Sequence, residues 1–179
     1  MTGTPDASGP GDLDRRLLAV YLNDHLAGAV AGAERMRRTA DVLARTPVGP
    51  GIDRVATEVA AEREELRALL GSLGVTQALP KQVATWLGER VARLKAGGGM
   101  VRSSPITALL EVEILRSAVM GKRGLWQTLT ELAPSLGIDA VRCRELWEQT
   151  DRQVTTLDQV HAYVRGRALR RSDGREAPV

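Results

Sequence analysis

The chain has 179 residues and a net charge of +3, which is enough for one domain with a real core and too mild a charge to point to nucleic acid. It has no Phe, two Tyr and three Trp, so the core must be built from Leu, Val and Ala, which suits helix on helix better than a sandwich. One cysteine, Cys143, excludes an internal disulfide framework and a paired-cysteine zinc site, and reads as a small core residue in a reducing, cytoplasmic setting.

Residues 1–11, rich in Gly, Pro, Ser and Thr, predict a flexible arm; they carry neither a basic start nor the apolar run of a signal peptide. A first helix is expected from about Asp12 to Arg45, stopped by the breakers of "TPVGPG". Its most apolar stretch, 17–33, is interrupted by Asn23, Asp24 and His25, so no membrane partner is expected. A second helix runs from about Ile52 to Leu73, and the short turn between the two makes them antiparallel neighbours.

A shorter helix over 80–95 follows, with Pro80 in its first turn and a narrow stripe of Val83, Trp86, Leu87, Val91 and Leu94. The third long helix opens at "SSPI", where Ser104 can cap and Pro105 suits the first position, and ends at Ala133 before Pro134. The fourth spans about Asp139 to Leu169, leaving 170–179 as a loose basic tail. No segment alternates with period two. The expectation is therefore all-α: a single domain over 12–169 forming a four-helix bundle, with a long crossover between the second and third helices and the short helix inside it.

On a helical wheel the fourth helix predicts a stripe of Cys143, Leu146, Thr150, Val154, Leu157, Val164 and Ala168, with His161 near its middle and Asp158 at its edge. The third helix predicts a face of Leu110, Ile114, Leu115, Ala118, Leu125, Leu129 and Leu132, with Glu111 and Lys122 near its centre. Glu62 falls inside the apolar face of the second helix and His25 at the margin of the first, while Glu34 points away. Folding the last hairpin about residue 136 brings Glu111 level with His161, and a crossover would place Glu62 within roughly two turns of both. His25 and Lys122 would share a lower buried charge layer. An inward Lys122 needs a carboxylate, for which Glu62 and Glu111 are the inward acids.

This arrangement resembles the ferritin-like superfamily, whose bundles carry a Glu on two helices and a Glu-x-x-His on the other two. The resemblance covers 12–169. It matches Glu111 on the third helix, "DQVH" (Asp158 with His161) on the fourth and Glu62 in "EREE" on the second. It departs at Glu65, where the family has His, and at the outward Glu34. The chain is also similar to uncharacterised bacterial bundle proteins carrying "LNDHLAGA" and "GK..LW" stretches, here 22–29 and 121–126, a likeness that implies no particular activity.

Three readings remain open. In the first the protein is a non-catalytic bundle acting through interaction or assembly, as a homo-oligomer or with a protein partner, and its buried acids and bases pair for structure. In the second Glu62, Glu111, Asp158 and His161 hold iron or manganese for oxidase- or peroxide-type chemistry, as hard oxygen and imidazole donors suit those metals. In the third a small acidic ligand binds at His25 and Lys122. Nothing supports nucleophilic catalysis, since Cys143 lies in an apolar stripe without a histidine at its level.

Overall fold

The computed structural model describes residues 13–77 and 105–170, and within them four helices pack together and no strand forms. These are α1 (Arg15–Leu43), α2 (Gly49–Ser72), α3 (Pro105–Leu136) and α4 (Ala140–Ala168). The expected arm at 1–11, the 80–95 helix and all but the first residue of the 170–179 tail lie outside the described residues.

Local chemistry sets the helix ends. Asp14 caps α1 by accepting from the backbone N–H groups of Arg16 (2.8 Å) and Leu17 (3.0 Å), and Asp139 caps α4 through Val141 (2.8 Å) and Arg142 (3.1 Å). Each carboxylate satisfies donors that a helix start leaves without partners. Gly137 ends α3 at φ +65°, and the N–H of Ile138 returns to the carbonyl of Ala133 at 3.2 Å. A left-handed residue that closes such a bond is best supplied by glycine. Pro134 does not end α3 as expected: the helix runs on to Leu136. A proline in the last turn removes one N–H, and the glycine cap holds the turn together beyond it.

α2 also begins earlier than the breakers in its sequence suggest, at Gly49 with Pro50 next to it. Proline is tolerated there because the first-turn N–H groups have no helical acceptor. Gly49 is needed for space. A Cβ built on it would lie 2.6 Å from the carbonyl oxygen of Ala44 and 2.7 Å from that of Leu43.

α1 packs on α2 and on α3, and α4 packs on α3 and on α2, so that α1 lies diagonal to α4 and α2 to α3. The contacts give the directions. Arg35 meets Glu111 and Tyr21 meets Thr128, so α1 and α3 run antiparallel. Glu58 meets Gln153, Glu62 meets Gln149 and Glu65 meets Arg142, so α2 and α4 are antiparallel as well. α2 and α3 therefore point the same way. The connection between them joins opposite ends of the assembly, because Val75 packs in one core cluster and Leu109 in the other. Among the described residues no helix is long and apolar enough to cross a membrane.

The core falls into two clusters. One gathers residues 33–43 of α1, 52–59 of α2, 109–119 of α3 and 157–164 of α4. The other gathers 18–26, 66–70, 125–136 and 143–146. Cys143 lies in the second cluster, and burial, the main cause, pushes its thiol pKa upward, as befits an inert core residue.

The helix faces are turned relative to the wheel prediction. On α3 Leu115, Leu125 and Leu129 are buried as expected, but in its first half Leu109, Val112 and Val119 are buried with Leu115, while Leu110, Ile114 and Ala118 lie off the core. On α4 Gln153 and Val160 take the places expected for Val154 and His161. Gly49→Ala should lower stability by about 1–3 kcal/mol through the clash with two fixed carbonyls. Gly121→Ala, on an exposed part of α3 where an added Cβ would meet nothing within 4 Å beyond its own helix backbone, should raise it by up to about 1 kcal/mol. Urea titration of both variants checks the contrast.

Candidate functional site

Between the two apolar clusters lies a polar layer. Its members occupy positions that the 3-4 spacing of the buried residues reserves for the interior. On α4 the series is Cys143, Leu146, Thr150, Gln153, Leu157, Val160, Val164, every member buried. On α3 Lys122 continues Val112, Leu115, Val119 toward Trp126 and Leu129, and on α2 Glu62 stands between Val59 and Leu66. Such spacing keeps one seam turned toward the partner helices.

Glu62 has both oxygens engaged. Its Oε2 pairs directly with the Lys122 ammonium, and its Oε1 accepts from Gln149 Nε2 at 2.8 Å and Gln153 Nε2 at 2.7 Å. Gln153, 1% exposed, is also satisfied throughout. Its amide nitrogen donates to Glu62 and to Glu58 Oε2 (2.9 Å), and its Oε1 accepts from Lys122 Nζ at 2.5 Å. The amide orientation is forced, since an ammonium can only donate and a carboxylate only accept. The Lys122 side chain, 15% exposed, bridges two helices that are otherwise diagonal neighbours. Burial pulls its pKa below the ordinary 10.5, and the nearby Glu62 and then Glu58 charges oppose that pull.

The predicted ligand set does not come together as one group. Glu62 sits in this layer with Lys122. Glu111 turns to Arg35 of α1 at 2.7 Å, and Asp158, exposed on α4, pairs with Arg116 of α3. The expected Glu111–His161 pair is replaced by His161 Nε2 against Glu113 Oε1 at 3.3 Å. The cause is the rotation of α3, which puts Val112 inward, so that Glu111 and Glu113 flank the core on opposite sides. Asp158 and His161 do share a groove of about 490 Å³ on the α3–α4 surface, lined also by Glu113, Arg116, Met120 and Val154. Among the described residues no three His, Cys, Asp or Glu side chains converge to hold a metal ion.

The layer expected to join His25 with Lys122 does not form. His25 packs edge-on to Tyr21, with ring centroids 4.5 Å apart, while the partners of Lys122 come from α2 and α4. Burial, the larger cause, lowers the His25 pKa from 6.5, and the Asp24 charge partly offsets it. Glu34 points outward as expected, 71% exposed. Gln149, Gln153 and Glu58 are residues that the wheel does not single out. For Gln153 the signal is present, in the unbroken 3-4 series of α4.

Lys122→Met leaves Glu62 buried without its cation and should cost about 3–5 kcal/mol, whereas the double variant Glu62→Gln/Lys122→Met should recover most of that loss. Chemical denaturation of the three proteins is the check. His25 makes a second, pH-dependent contribution. Because its folded-state pKa is lowered, the unfolded chain takes up the proton first as pH falls, so stability drops below pH 6.5. His25→Gln should remove that part of the acid sensitivity, as read from melting temperatures across the acidic range.

Compared with family models, with curated proteins and with solved structures, the chain matches none.

Proposed function

We propose that this chain is a non-catalytic four-helix bundle of ferritin-like connectivity that works through interaction or assembly, its buried charges serving to set helix register. The observation that carries this reading is the engagement of Glu62, each of whose oxygens accepts from protein donors, three in all. Three of the roughly four acceptor sites of such a carboxylate are then taken, and the oxygen with a site left is the one that holds the Lys122 ammonium, whose charge would repel a metal cation. The other acids matched by the family pattern, Glu111 and Asp158, each face a protein guanidinium, and His161 faces Glu113. The ferritin-like connectivity is supported by the parallel course of α2 and α3, which one long crossover produces.

Interaction is supported by the surface of α1. Leu17, Val20 and Val42 are 66%, 64% and 60% exposed on the helix side away from the core. Leu17 and Val20 adjoin at one end of that face and Val42 lies roughly 33 Å away at the other, so the face offers aliphatic groups at both ends.

Elemental analysis of protein purified without chelator tests the reading. Iron and manganese are expected far below one per chain, and neither should raise the melting temperature when added. A stoichiometric metal that is lost in both Asp158→Asn and His161→Gln would overturn it.

A further inference from the structure

The exposed side of α1 has a charge pattern as well as an apolar one. At 100° per residue Leu17, Val20, Asp24, Ala27, Ala31, Arg38 and Val42 fall on one strip, opposite the buried Leu18, Leu22, Met36 and Ala40. No described atom lies within 4 Å of a Cβ built on the neighbouring Gly28, so the middle of the strip is open as well as small. Arg38 is 66% exposed and reaches Glu34 only at a long 3.7 Å, and Asp24 is exposed.

We propose that the chain pairs with a second copy of itself through this strip, antiparallel about a two-fold axis beside Ala31. A two-fold contact must be self-complementary, with residue i meeting j and j meeting i. Folding the strip on itself at Ala31 does this. Asp24 and Arg38 are each seven positions from the axis, so each acid comes level with the other copy's Arg38, giving two opposite-charge pairs. Val20 and Val42 are each eleven positions away and also come level. Ala31 lies at the centre, and Ala27 and Gly28 beside it leave room for the exposed Glu34 side chain of the other copy, which the same pairing sets level with Gly28. An axis at Ala27 would instead set Arg38 level with Arg16, a like-charge pair, and would leave Asp24 facing Val30. The proposal rests on the interaction reading above and names its partner.

The test is a charge swap read by sedimentation equilibrium. The wild type is expected as a dimer of twice 19.3 kDa. Asp24→Arg and Arg38→Asp should each raise the dissociation constant at least about tenfold, since each replaces two attractive pairs by two repulsive ones. Their melting behaviour at low protein concentration should stay near that of the wild type, because both sites are exposed. Mixing the two variants should restore dimers, as each then supplies the charge that the other lacks.

A wild type that stays monomeric, or a dimer indifferent to both swaps, overturns the proposal. So does a monomer in which Leu17, Val20 and Val42 are protected from hydroxyl-radical footprinting, because another part of the same chain would then be the cover. A stoichiometric metal found in an intact, swap-sensitive dimer would overturn the non-catalytic reading and leave the dimer standing.

Discussion

The contact between Glu62 and Lys122 is the constraint on which the arrangement of α2, α3 and α4 depends. Taking a carboxylate and an ammonium out of water costs several kcal/mol per ion, and attraction between them repays it only when the remaining hydrogen-bonding capacity is also met. Gln149 and Gln153 supply that capacity from α4. The result is a layer that is satisfied in one register only. Sliding any of the three helices by one turn, about 5.4 Å, would set a charge among Leu and Val side chains of the adjoining cluster. The apolar clusters above and below contribute most of the burial, but a seam of aliphatic residues in a 3-4 repeat discriminates weakly between registers.

The edge contacts follow from that layer. Once Lys122 points inward, α3 must bury Val112 and Val119, and Glu111 and Glu113 go to its two sides. Glu111 then meets Arg35, and Glu113 meets His161. In a chain so rich in arginine, carboxylates near a helix seam readily find a guanidinium across it, as Asp158 finds Arg116 and Glu65 finds Arg142. Pairs exposed to this degree add little stability. Their consequence is chemical, because acids held by cations are poorly placed to act as a convergent ligand set. On the proposed reading the interior serves register, and the surface of α1, where aliphatic and oppositely charged residues are exposed together, is where a partner would bind.

The sequence by itself determined the all-helical class and four long helices, because periodicity and the breakers between segments depend on residues near one another in the chain. It also placed Glu62 and Lys122 on inward faces, and a Glu62–Lys122 pair was among its readings, whereas it set Val154 where Gln153 is buried. What only the tertiary structure decided is how each helix is turned about its axis. Leu109 and Leu110, or Val160 and His161, are adjacent and could each face inward on local pattern alone. The choice between them is made by the helices packed alongside, through the single rotation that buries Val112 and Val160 while giving Lys122 both its carboxylate and its amide. A turn of less than one residue moved Glu111 from His161 to Arg35, and no local signal encodes so small an angle.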